Sequence, residues 1–309
     1  MKKCYLIILL LFIKTAHSQT ENDAIMMNKN LFCVGAVYSH SSWTDYWEGT
    51  FKRDNPNLGS VSTSMIGVMG NYGLTNKINL MFNIPYVQTE ASAGTMRGQS
   101  GIQDLSLTAK YNFLEKNFGN NSFSLYAMGG FSVPITNYSA DYLPLSIGLQ
   151  SKTATFRLMA DFQHGNFFGT ASASYTKRDN IKIDRNTYFT TRMHYTNEVD
   201  MPDAIGSNFR AGYRTQWIIA EAVYETWVTQ KGGFDITKNN MPFPSNTMNM
   251  ARLGLNGKYV FKKAPMLSLI GGANSVTSGR NVGQSTAFYG GAFYIIDFNK
   301  TKKDIQNEK

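Results

Sequence analysis

The sequence predicts an all-β protein, an antiparallel transmembrane β-barrel of about twelve strands. Three observations carry that expectation. An export signal opens the chain, alternating segments long enough to cross a bilayer recur along it, and the connections between them are alternately short and long.

Lys2 and Lys3 precede an apolar run from Tyr5 to Ile13, and Ala16-His17-Ser18 follows before Gln19. A basic start, a short apolar run and a small-residue ending make a secretory signal peptide over 1–18, cleaved near Ser18/Gln19. The run is too short for a membrane helix, which needs about 20 residues. Cys4 lies before the apolar run, where a lipoprotein acceptor would not be. Cleavage leaves Cys33 as the only cysteine, so no internal disulfide is expected, and its apolar surroundings predict burial. The exported chain then divides into a short N-terminal segment 19–30, a barrel 31–298 and a charged tail 299–309. The first reads as too short for a folded plug, the last as too short for a peptidoglycan-binding module.

Composition agrees with a barrel. The chain has 309 residues with 27 Gly, 20 Phe and 17 Tyr but only 8 Pro, and no later apolar run is long enough for a membrane helix. An exported chain rich in Tyr, Phe, Gly and period-two segments is either a periplasmic β protein or an outer-membrane barrel. The formal charge of +9 falls to +6 without the three signal lysines, and no basic run lies outside the tail. Nucleic acid is therefore not an expected partner.

The strongest alternation lies between Val61 and Phe113. Ile78, Leu80, Phe82 and Ile84 share one side of a run, and Leu105, Leu107, Ala109, Tyr111 and Phe113 share one side of another. Period-two alternation is the signature of a strand with unlike faces. Extended along the chain, it gives strands at Leu31–Ser42, Ser60–Tyr72, Lys77–Gln88, Ile102–Leu114, Ser122–Ile135, Thr153–Gln163, Phe167–Lys177, Ser207–Arg214, Trp217–Thr229, Asn249–Phe261, Met266–Val276 and Thr286–Phe298. Most reach the length of about 9–11 residues that a tilted membrane strand requires, against about 5–6 for an ordinary strand. Short connections at Gly73–Asn76, Glu115–Asn121, His164–Asn166, Thr215–Gln216 and Lys262–Pro265 alternate with longer polar ones. Short periplasmic turns and long outer loops produce that alternation; a Greek-key sandwich does not.

The two faces differ in charge. Phe156, Leu158, Ala160 and Phe162, and later Ala251, Leu253, Leu255, Tyr259 and Phe261, continue an uncharged side that faces lipid. Asp104, Lys110, Arg157, Asp161, Arg210, Arg214, Glu221, Glu225, Arg252 and Lys258 fall on the opposite side and are the candidate lumen-lining residues. A charge facing lipid at mid-depth costs about 2–4 kcal/mol, which accounts for the segregation. If the turn at Thr215-Gln216 is tight, Arg210 lies across from Glu221, with Arg214 and Glu225 extending the set. Such a set either neutralises a narrow lumen or selects among solutes. Tyr72, Tyr86, Tyr111, Phe113, Tyr175, Tyr259 and Phe261 stand near strand ends, where aromatic girdles form.

Catalytic chemistry is sparse. His40, His164 and His194 are the histidines of the exported chain, and none has a second strong ligand at metal-binding spacing on one strand face. His40-Ser41-Ser42 lacks an orienting partner, because strand neighbours point to opposite faces. The glycine pairs at 129–130, 271–272 and 290–291 precede no helix and are not phosphate loops. No enzyme activity, cofactor or metal is expected.

Asn71-Tyr72-Gly73-Leu74-Thr75-Asn76-Lys77, Ile84-Pro85-Tyr86, Gly101-Ile102-Gln103-Asp104-Leu105 and Lys110-Tyr111-Asn112-Phe113 resemble motifs of the "MetA-pathway of phenol degradation" family. That family consists of outer-membrane transporters distantly similar to FadL-type carriers of hydrophobic compounds. The resemblance implies residence in the outer membrane of a Gram-negative-type bacterium, with outer-membrane lipid around the barrel. It also implies uptake of a small, hydrophobic or aromatic solute. Two alternatives stay open: a structural or adhesion barrel with a side-chain-filled interior, and an outer-membrane enzyme.

Overall fold

A computed structural model describes residues 21–238 and 240–299; the signal segment and most of the charged tail lie outside them. Twelve long strands form one sheet: β1 (Leu31–Trp43), β2 (Val61–Gly73), β3 (Ile78–Ala91), β4 (Asp104–Phe118), β5 (Asn121–Pro134), β6 (Thr153–His164), β7 (Phe167–Arg178), β8 (Ala204–Arg214), β9 (Ile218–Thr229), β10 (Asn249–Phe261), β11 (Ala264–Arg280) and β12 (Thr286–Asp297). Each pairs antiparallel with its sequence neighbours, and β12 returns to β1 from Leu31↔Asp297 to Ser42↔Thr286. The sheet is a closed barrel with no free edge, the condition lipid imposes on a spanning sheet.

Local chemistry sets the short turns. Thr75 Oγ1 accepts the N–H groups of Lys77 and Ile78 at 3.1 and 2.9 Å. Thr215 Oγ1 repeats this with Trp217 and Ile218 at 3.2 and 3.0 Å. In both turns a side-chain oxygen caps backbone donors left without a strand partner. The two-residue turns after β4 and β6 use Gly119 and Gly165 at φ +59° and +57°, a left-handed conformation that costs glycine little.

The outer face is apolar. Leu107, Phe156 and Leu255 are 51, 55 and 69% exposed, whereas Lys110 and Asp161 on the inner face are 0 and 5%. Tyr111 and Phe113, Phe167 and Tyr213, and Tyr259 and Phe261 form ring pairs toward the short-turn end. These pairs mark the lower girdle, while Tyr86 and Tyr175 lie toward the long-loop end. Cys33 is buried in the lumen wall beside Met27, Leu31, Val37, Phe293 and Ile295.

The observed strands depart from the expected ones mainly at their ends. Glu115–Asn121, expected as a turn, is strand except at residues 119 and 120, with a register shift between Asn112 and Leu114. β11 runs on to Arg280 instead of stopping at Val276, and β8 begins at Ala204 instead of Ser207. Beyond the lipid zone pairing can continue without apolar alternation, so the sequence period does not mark those ends. Pro85 interrupts the β3–β4 ladder. It has no N–H to give Gln103, whose carbonyl accepts the Ile135 N–H at 3.4 Å instead.

Three long connections fold over the mouth. In the segment 135–152, Leu145 is fully buried against Leu58 and Val61, and Ile147 packs with Val87 and Tyr138. Segments 179–203 and 230–248 join it through a second core of Ala140, Ile181, Ile183, Tyr188, Val199, Met201 and Phe243. Together they form a lid with its own apolar centre.

Residues 21–30 enter the lumen from the short-turn end. The Asn30 N–H donates to Gly73 O at 2.8 Å, and Met27, 1% exposed, packs on the inner faces of β1 and β12. No strand or helix forms in residues 21–30, so the segment occupies the lumen without being the folded plug that its length argued against. Most of its partners come from the barrel wall, while the Ile25 N–H stays within the segment and donates to Asp23 Oδ1 at 3.0 Å.

Candidate lumen site

The N-terminal segment is fixed by inward side chains from three adjacent strands. Lys110 of β4 donates Nζ to the carbonyls of Asp23 and, at 3.0 Å, Ile25, with the Asp23 carboxylate at 3.5 Å. Tyr126 of β5 donates its hydroxyl to Ala24 O at 2.7 Å. Arg157 of β6 donates to Asn22 Oδ1 and to Glu21 O, the latter at 3.4 Å. A fully buried ammonium requires such partners, since an unpaired charge there would be costly. Lys110 also stands 5.4 Å from the centre of the Tyr126 ring.

The remaining inward charges pair across the wall. Arg210 meets Glu221 at 2.8 Å, and Asn256 donates to the same carboxylate oxygen at 2.9 Å. Arg214 does not extend that pair. It reaches over β7 to Asp161 with two bonds of 2.9 and 3.1 Å and lies 3.7 Å from the Phe168 ring centre. Glu225 binds Arg252 at 2.6 Å. The expected single set is therefore three pairs, because the strand register offers Arg214 and Glu225 nearer partners than each other. Lys258 lines a small void of about 70 Å³ with Asp23, Arg210, Arg214 and Glu221. Asp104 lies nearer the mouth and accepts the Tyr138 hydroxyl at 2.7 Å. His40 lies on the outer side, 3.0 Å from Ser64 Oγ. Among the described residues, no group of three or more His, Cys, Asp or Glu is placed to hold a metal ion.

The N-terminal segment borders two larger spaces. Toward the short turns lies a cavity of about 970 Å³, lined by Ile25, Asn28, Asn112, Tyr126, Arg214 and Trp217 among others. Toward the lid lies one of about 450 Å³. Its wall is rich in hydroxyls (Ser106, Thr108, Ser132, Thr153, Thr155, Ser174, Thr176), with Met128, Trp227, Leu149 and Met248 supplying apolar surface and Glu21 reaching in from the segment. A third space, on the outer surface, runs over Leu80, Leu107, Gly129, Phe131 and Phe156, with open space in front of Gly129.

A family model described as "Putative MetA-pathway of phenol degradation" matches residues 57–289. The chain belongs to that family. This phenol-degradation family member also shares its fold with the COG4313 outer membrane channel from Pseudomonas putida F1. That similarity has 13% identity, covers 91% of this chain and 100% of the other, and has a TM-score of 0.71. The translocator domain of autotransporter NalP from Neisseria meningitidis is 9% identical over 86% of this chain and 88% of its own, with a TM-score of 0.44. A Pseudomonas aeruginosa FadL homologue is 11% identical over 88% and 91%, with a TM-score of 0.36. At those scores neither bears on the fold. Comparison with curated proteins gave no match. Family and fold together make this an antiparallel β-barrel of the outer-membrane type.

Two parts of the lumen escaped the sequence reading. Arg178 continues the inward series Ser172, Ser174, Thr176, but the expected strand ended at Lys177. The N-terminal segment carries no period at all; only Asp23, an acid one short span before an apolar strand, hinted at a partner inside.

Proposed function

We propose that this barrel takes up a small, amphipathic solute across the outer membrane. The solute occupies the cavity between lid and N-terminal segment, and the segment gates the onward path. The observation that carries this reading is the mixed lining of the cavity. At about 450 Å³ it falls in the range of small-molecule sites, about 300–1,000 Å³, and sets methionines and a tryptophan among hydroxyls. A hydrophobic or aromatic body suits the apolar members, in keeping with the family's description. The charged pairs on the other side of the lumen neutralise one another and give that wall a fixed, polar surface.

Gating follows from the anchoring. The segment is held by hydrogen bonds, one buried cation and the packing of Ala24 and Met27 on the wall, so solute entry has to displace those contacts but not unfold a domain. Single-channel recording of the refolded barrel tests this. Protein lacking residues 19–30, or carrying Lys110→Met, should conduct several-fold more than the intact chain. Equal, negligible conductance in all three proteins would sink the proposal in favour of a structural barrel with a filled interior.

A further inference from the structure

Arg178 takes no part in the pairs or anchors described above. It ends β7 pointing into the lid-side cavity, is 9% exposed, and its Nε and Nη2 have no hydrogen-bond partner. The nearby carboxylate of Asp203 is engaged elsewhere. It accepts the backbone N–H of Arg178 at 2.9 Å and the Tyr175 hydroxyl. Of the other ionisable groups lining the cavity, Asp104 holds Tyr138, Arg157 holds Asn22, and the Glu21 carboxylate stands 3.5 Å from the Thr108 hydroxyl. A buried guanidinium with idle donors is costly and calls for an acceptor.

The idle donors are the informative ones. Nε–H and one Nη–H form a single edge of the planar guanidinium, the edge that takes both oxygens of a carboxylate in parallel. Trp227 lines the same cavity, its ring 5.6 Å from the guanidinium carbon. Gly206, opposite Trp227 in the β8–β9 register, leaves space for Ser174, since a Cβ there would lie 2.8 Å from Ser174 Oγ and in ordinary contact, 3.5 Å, with the indole. One end of the cavity thus offers a carboxylate fork, and beside it lies a flat apolar surface.

We propose that Arg178 and Trp227 form a subsite for a small aromatic carboxylate, the acid on the guanidinium edge and the ring against the indole. The subsite deepens the uptake reading and rests on the same cavity, but its test needs no flux. Calorimetric titration of the full mature protein in detergent, at neutral pH, compares benzoate with benzyl alcohol and with acetate. Benzoate should bind at least about tenfold more tightly than either, since the alcohol lacks the charge and acetate lacks the ring. Arg178→Gln should lose about tenfold or more for benzoate while leaving benzyl alcohol unchanged, and Arg178→Lys, which keeps the charge without the fork, should fall between. Trp227→Ala should bring benzoate down toward acetate. Equal binding of benzoate and benzyl alcohol by the unaltered protein would overturn the subsite even if no variant folds. So would undiminished benzoate binding by folded Arg178→Gln. Benzoate binding without conductance would keep the subsite and end the uptake reading; conductance without benzoate preference would do the reverse.

Discussion

The two sides of the lumen wall bury polar groups in opposite ways. Toward the lid, β4 to β7 present hydroxyls that satisfy one another within the wall. Ser106 Oγ donates to Ser132 Oγ at 3.2 Å, and Thr155 and Thr176 meet at 3.0 Å. Such short side chains need nothing from across the barrel, so space remains in front of them. Along β8 to β10 the inward groups include Arg210, Arg214, Glu221, Glu225 and Arg252, long chains that must find a counter-charge. They reach across to one another or to Asp161 and pair, leaving a space of about 250 Å³ before Glu225 and Arg252. Side-chain length and charge thus decide whether a wall group is satisfied by its strand neighbours or must reach for a counter-charge.

The comparison breaks most readily on the charged side. Arg210 and Glu221 are 11 and 7% exposed, so Arg210→Ala or Glu221→Ala leaves a buried charge without its partner, at about 3–5 kcal/mol. The double variant should lose less than either single change. Urea unfolding in lipid vesicles reads all three, and strictly additive losses would show that the two residues do not act as a pair.

Next in size is a contrast across one strand of the hydroxyl side. Leu107→Arg puts a charge into lipid and should cost about 2–4 kcal/mol, seen as a reduced heat-modifiable folded fraction on gels. Thr108→Arg, one residue on, faces the cavity and should assemble. Equal tolerance of both would mean that β4 presents the opposite face.

A smaller effect sharpens the difference between the halves. Replacing Thr155 and Thr176 together by valine removes both partners of a hydroxyl pair at nearly constant shape, so stability should stay within about 1 kcal/mol. A loss as large as that from Arg210→Ala would put the two sides on the same footing.

The smallest effect lies outside the membrane, in the lid. Arg280 donates to both oxygens of Asp235 at 2.7 and 2.6 Å and holds its carboxyl below the usual carboxylate range. A depressed carboxyl contributes stability that is full above the unfolded value of about 3.9 and is lost as pH falls through the folded one. The pair is well exposed and screened by solvent, so its share is modest. Protease cleavage within 230–248 should rise as pH drops from neutral toward 3, and Asp235→Asn should remove that dependence. Identical pH profiles would exonerate this pair.

The sequence by itself determined the strands, their number and their faces. Period two is local: Leu107 and Thr108 are told apart by neighbours along the same strand, and lipid penalises any error in every strand alike. Two turns were legible for the same reason, since Thr75 and Thr215 cap their own short loops, whereas most of Glu115–Asn121, expected as a turn, is strand. Only the tertiary structure decided what each inward group meets. Arg214 has Asp161 as partner because β7 lies between β6 and β8 in a closed sheet, a fact no window of sequence contains. The N-terminal segment finds its place through Lys110, Tyr126 and Arg157, about 85 to 135 residues away, and has no pattern of its own. The Nε and Nη2 donors of Arg178 stand without hydrogen-bond partners for the complementary reason. Which donors a folded wall leaves idle depends on every neighbour at once, and its alternation could say only that it points inward.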